Sequence, residues 1–220
     1  MMRAAFQGHL ANLEQDLVTM SEMVAKAVNR SVEALKTRNL EEAKQIKEDD
    51  QKINDKRWEI EETCINLIAT QQPVATDLRE LIAILNIITD LERMGDYASG
   101  IAKIIIKLGD GPLIKPLIDI QRMAGIAVEM IHKSLKAYTG RDDKAARLIS
   151  KQDDEIDELY GQVQRELISV MIEDPSKITR STYLTWAAHN LERIGDRVTN
   201  ICERIIFLVT GEMVENVSKE

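Results

Sequence analysis

Residues 91–97, LERMGDY, return one hundred positions later as LERIGDR at 191–197. The match extends beyond the motif. At an offset of 103, Met20, Ser31, Ala34, Arg38, Ala43, Ile46, Asp50, Ile53 and Ile65 meet Met123, Ser134, Ala137, Arg141, Ala146, Ile149, Asp153, Ile156 and Ile168, and further along the offset becomes 100. Any fold for this chain must therefore be built twice from one supersecondary unit.

That unit reads as helical. Leu10, Leu13, Leu17, Met20, Val24, Ala27, Ser31 and Ala34 alternate spacings of three and four, the apolar seam of a bundle helix. Asn39 offers an N-cap with Glu42 three residues on, which starts a second helix running to about Thr70. The Gln-Gln-Pro at 71–73 ends it, and a third helix is expected from Pro73 to Leu108. Gly-Asp-Gly-Pro at 109–112 is the strongest punctuation in the chain. The second half repeats the plan, with helices expected over 113–139, 142–172 and from the Pro175 region to Thr210. Only 4% aromatic residues and four prolines fit long helices better than a β-sandwich. The expected fold is all-α: two tandem, duplicated antiparallel three-helix bundles with six long helices, divided as 1–110 and 111–220.

Composition narrows the function. A formal charge of −8 with no Lys/Arg block gives no phosphate-tracking surface, so no nucleic-acid partner is expected. Cys64 and Cys202 are solitary and lie within apolar helical pattern, as small buried hydrophobes do. The N-terminus has no apolar signal region, and LIAILNII is too short to span a bilayer, so no membrane insertion and a cytoplasmic location are expected. No phosphate-cradling loop and no nucleophile elbow occurs, so no catalytic residue is expected. A homodimer is the assembly considered, with no apolar patch definable from the sequence to carry it.

The chemistry lies in acids placed on helical seams. Glu92 and Glu192 each take a core slot, and Asp96 and Asp196 follow one turn later on the same face. In the preceding helices Asp50 is followed by Asn54, and Asp153 by Asp157, again at four-residue spacing. Counting from the connecting turn at roughly 1.5 Å per residue, the two pairs in each half differ in height by only about 1.5 to 3 Å, so they are expected to face each other. Three or four carboxylates stripped of water need positive charge between them. Protons, arginines or metal ions would supply it. Arg93 and Arg193 follow the glutamates directly and so point about 100° away, poorly placed for the task. All-oxygen donors from Asp, Glu and Asn suit Mg, Mn or iron, with Zn also accommodated. Gly95 and Gly195 clear room beside the acids for ions or for a close helix.

Bland readings compete. A single ExxxD is more often a solvated face than a ligand set. Beside the metal reading stand a carboxylate-bridged di-metal enzyme of ferritin-like type and a metal-free helical scaffold. Glu129 and His132 make one ExxH, but a ferritin-like site needs two such motifs. His189 lies three residues before Glu192, within reach of the cluster edge, although an ordinary histidine is the commoner case. Trp58 and Trp186 read as packing residues.

Taken together, LERMGDYA, LERIGDR, QQPVATDLR at 71–79 and the elements DQKIN and DDEID resemble the PhoU family, accessory regulators of bacterial phosphate-specific transport, over nearly the whole chain. The resemblance implies multinuclear metal clusters, with the family's E(D)xxxD motif falling on Glu92 with Asp96, Glu192 with Asp196, and Asp153 with Asp157. Asp50 with Asn54 departs from it at the second position. Asp77 and Arg79 have no duplicate in the second half. It also implies restraint of phosphate uptake and of the starvation response, through contacts with the ATPase subunit of the Pst transporter and with a PhoR-type sensor kinase.

Overall fold

The computed structural model describes residues 2–109 and 111–214, with side chains from Phe6 onward. The boundary expected at residue 110 falls at a position outside the described residues. Every described element is helical: α1 (Met2–Thr37), α2 (Leu40–Gln71), α3 (Thr76–Leu108), α4 (Ile118–Gly140), α5 (Asp143–Ser150), α6 (Asp153–Glu173), a 3-10 turn (Pro175–Lys177) and α7 (Ile178–Thr210). The seam expected in α1 is buried from Leu10 through Leu13, Leu17, Met20 and Val24. Asn39 caps α2 by accepting from the Glu42 amide at 3.0 Å, and Asp142 caps α5 by accepting from Ala145 at 2.9 Å. Arg38 and Arg141, matched by the repeat, both adopt the left-handed conformation that closes the preceding helix.

Three boundaries differ from expectation. α3 begins at Thr76 rather than Pro73, because Gln72 and Ala75 both have positive φ and the chain turns between them. α4 begins at Ile118, after Pro116, whose missing amide and fixed φ keep 113–117 out of a helix interior. The expected fifth helix is two. Lys151 and Gln152 interrupt it, with three-residue bonds from Gln152 N to Ile149 O (2.9 Å) and from Glu155 N to Gln152 O (3.2 Å). Helix α6 therefore opens on Asp153, Asp154 and Glu155, acids that the positive end of a helix dipole favours. The matching stretch of α2 runs straight through.

The most extensive packing is between α3 and α7, flanked by α1 and α2 on one side and α4 to α6 on the other. This explains why α3 is buried around most of its circumference: Leu81, Ile84, Ile87, Ile88, Leu91, Met94, Ala98 and Ile101 are all fully enclosed. Asp90 accepts from Arg197 (3.3 Å) and Asn200 (3.2 Å), while Gly100 lies against Asn190. Residue 90 thus meets 200 and 100 meets 190, so the two helices run antiparallel and cross near Gly95 and Gly195. Because their sequences match at an offset of 100, an approximate two-fold axis passes through the crossing, normal to the pair. Such an axis keeps equivalent groups on the same face of the molecule. The halves are further tied at their turns, where Arg141 binds Glu80 and Arg180 donates to the Leu108 carbonyl at 3.4 Å.

Candidate metal centre

On that shared face Asp50 of α2 lies near Glu92 and Asp96 of α3, with Asn54 one turn further along α2, and Asp153 and Asp157 of α6 lie near Glu192 and Asp196 of α7. The expected facing of the pairs is visible in their electrostatics. Burial first, then the charges of Asp96 and Glu92, raise the Asp50 carboxyl above its ordinary range, with Lys103 opposing. Burial, then Asp157, Asp196 and Glu192, push Asp153 up to about 8. Asp157 and Asp196 are also raised, by burial and then by Glu192. Glu192 and Asp196 thus share one electrostatic field with Asp153 and Asp157 across the α6–α7 pair.

The glutamates sit on the rim of the core rather than in it. Their side chains are 16% exposed at Glu92 and 13% at Glu192, whereas the neighbouring Leu91 and Leu191 are fully buried. Asp50, Asn54, Asp96 and Asp196 are half-buried, Asp157 is exposed, and Asp153 alone is enclosed. The glycines admit a close helix. Gly95 lies against Ile53 and Asp50 of α2, and a side chain at Gly195 would overlap Asp153 Oδ1 of α6.

Arg93 and Arg193 correct the sequence reading, because their length lets them fold back around the helix. Arg93 Nη1 donates to Asp96 Oδ2 at 3.0 Å. Arg193 does more: Nε and Nη2 donate to the two Glu192 oxygens at 2.7 and 2.8 Å, and Nη2 lies 2.6 Å from Asp196 Oδ2. His189 Nδ1 stands 3.3 Å from Glu192 Oε2, so this histidine does reach the cluster edge, its ring 5.8 Å from that of Tyr160. As the side chains stand, no three of His, Cys, Asp or Glu among the described residues converge closely enough to hold a metal ion.

Other expectations resolve simply. Cys64 and Cys202 are free and buried, and burial pushes both thiols up to about 12. Glu129 pairs with Lys133 at 2.7 Å and His132 lies 3.5 Å from Glu22, so that ExxH is engaged elsewhere. Trp58 and Trp186 are not core packing residues; both are about half exposed. The sequence reading missed Asp90, Glu80 and Arg141, the polar ties between the halves. Only the Arg38–Arg141 match hinted at one of them.

The second half passes a chemical test for a metal that the first passes less well. Asp153 Oδ1 is buried, has no hydrogen-bond partner and lies at the helix contact among three other carboxylates. Such an oxygen requires a proton or a cation. Among the described residues of the first half no acid is a comparable orphan.

The class defined by this fold and face is an all-helical protein of two duplicated bundles with an acidic cluster from each half beside the central helix crossing. The family profile described as PhoU domain matches residues 17–105 and 120–205, once per half. The chain belongs to the PhoU family. It is 40% identical over 216 residues to a phosphate-specific transport system accessory protein PhoU homolog of Clostridium acetobutylicum, covering 98% of this chain and 99% of that one. It is 37% identical over 207 residues to the homolog of Aquifex aeolicus, covering 94% of each. The crystal structure of the phosphate transport system regulatory protein PhoU from Streptococcus pneumoniae superposes with a TM-score of 0.89 at 32% identity, covering 96% of this chain and 99% of that one. That of PhoU from Pseudomonas aeruginosa gives 0.89 at 35%, covering 94% and 100%. These relatives are named accessory and regulatory proteins, not enzymes. Among the described residues no helix is long and apolar enough to cross a membrane.

Proposed function

We propose that this chain is a metal-binding regulatory protein that restrains phosphate uptake through the Pst transporter and the accompanying starvation signalling. The names of its relatives support the regulatory role in phosphate transport. The metal reading rests on one observation, the orphaned Asp153 Oδ1 among Asp157, Glu192 and Asp196. A bound di- or trivalent ion, iron, Mn, Mg or Zn, supplies the positive charge that these oxygens lack. Asp153 provides the buried oxygen, Glu192 and Asp196 the adjacent ones, and Asp157 the solvent-side one. In the first half Asp50, Glu92 and Asp96 with Asn54 form a weaker set.

The Pst ATPase subunit and a PhoR-type sensor kinase are the proposed partners, met in the cytoplasm, with a homodimer as the proposed assembly and 1–110 and 111–220 as its two bundle units. Metal analysis of untagged protein, compared with the Glu192→Ala, Asp196→Ala double variant, tests the site. Stoichiometric metal in the wild type that falls by at least half in the double variant is the expected result. Absence of metal under every loading condition refutes it. Pull-down from phosphate-replete cells tests the partners, and an empty pull-down counts against them.

A further inference from the structure

We propose that Arg193 is the resident counter-ion of the second cluster, and that its guanidinium and a metal ion are mutually exclusive occupants of Glu192 and Asp196. This rests on the metal reading above. One guanidinium engages both oxygens of Glu192 and one of Asp196, at 2.6 to 2.8 Å. Its side chain is 41% exposed, so it holds the two acids from the solvent side. Asp153 Oδ1, by contrast, is enclosed at the α6–α7 contact and left without a partner.

The two halves of the cluster are thus turned away from each other. Glu192 and Asp196 satisfy their charge outward on Arg193, and Asp153 has nothing to meet inward. That division explains how four carboxylates can share one field without three of them converging. A cation entering the cluster needs the lone pairs that Arg193 now occupies, and it repels the guanidinium at contact distance. Glu192 and Asp196 must then release Arg193 before they can turn toward Asp153. Even while it holds the acids, Arg193 lies near Tyr97 of α3 at the helix crossing.

The first half serves as the internal control. Arg93 makes a single 3.0 Å bond to Asp96, stands 3.6 Å from Glu92 and is more exposed, at 54%. It competes weakly for the same acids.

Calorimetric titration of the chelator-stripped full chain with Mn²⁺ tests this, using the wild type, Arg193→Gln and Arg93→Gln. Both variants remove one positive charge, so any long-range electrostatic gain is common to them. Arg193→Gln is expected to tighten Mn²⁺ binding about tenfold, equivalent to ~1.4 kcal/mol. Arg93→Gln is expected to change it less than about threefold, as a weak exposed pair should. In parallel, phenylglyoxal labelling read by mass spectrometry should modify Arg193 slowly in stripped protein and faster once Mn²⁺ is bound. Equal or weaker Mn²⁺ binding by Arg193→Gln, or unchanged labelling of Arg193 in a protein that does bind Mn²⁺, overturns the exchange and leaves the metal reading standing. Failure of the wild type and both variants to bind Mn²⁺ overturns the metal reading itself.

Discussion

The first cluster keeps Asp50 half-buried, with Lys103 near enough to ease its charge, and leaves Arg93 loosely attached. The second encloses Asp153 at 6% exposure and clamps Glu192 and Asp196 under Arg193. One template has produced a tolerant acid set and a strained one, and the strain traces to the backbone. Helix α2 passes straight through its acid, whereas the break at Lys151–Gln152 makes Asp153 the first residue of α6 and brings it against Gly195. Ionising the unpartnered Asp153 carboxyl there lowers apo stability and raises the reward for a cation.

The largest expected effect is on pH dependence. Asp153 has its carboxyl raised from 3.8 to about 8 in the folded chain without metal. Between those values the folded state holds a proton that the unfolded state has released. Its contribution to stability is therefore full below pH 4 and is lost as pH rises toward 8. Asp153→Asn removes that loss, and in chelator-treated protein at pH 7 it should stabilise the fold by on the order of 3 kcal/mol. Urea unfolding at a series of pH values measures it. Asp50→Asn should do the same in direction and less in size, and equal effects would erase the contrast between the halves.

Next in size are the glycines. Gly195→Ala would drive a methyl into Asp153 Oδ1 and to 3.0 Å from Ile156, and should cost about 1–3 kcal/mol. At Gly95 the nearest atoms are the flexible ends of Ile53 at 3.1 and 3.3 Å, so Gly95→Ala should lie within about 1 kcal/mol of neutral, helped by better helix propensity. Thermal melts of the two variants compare the tightness of the two helix contacts directly.

Much of this was legible in the sequence. The duplication and the three-four seams gave an all-helical bundle, and matched heights brought Asp50 to Glu92 and Asp153 to Glu192. The α5–α6 break was not legible, because Ser150-Lys151-Gln152 contains neither Gly nor Pro and the apolar period continues across it. Arg193 was misread because a Cβ direction describes short side chains well and a six-atom guanidinium arm poorly. Glu80, Asp90 and Arg141 escaped notice because contacts between halves leave no periodic signature. Their partners lie far away in sequence, at Arg141, Arg197 and Glu80.

The smallest expected effect tests whether acid count alone separates the clusters. Asn54 stands one turn beyond Asp50, where the second half has Asp157. Asn54→Asp gives the first cluster its fourth carboxylate while leaving α2 unbroken and Arg93 in place. Made in the Glu192→Ala, Asp196→Ala background, where the first cluster is the reporting site, it should tighten Mn²⁺ binding about fivefold by adding ligand charge. Unchanged affinity in that titration would assign the difference between the halves to the enclosure of Asp153 and the grip of Arg193. A gain of a hundredfold would show that the missing carboxylate had limited the first cluster, and that backbone placement matters little.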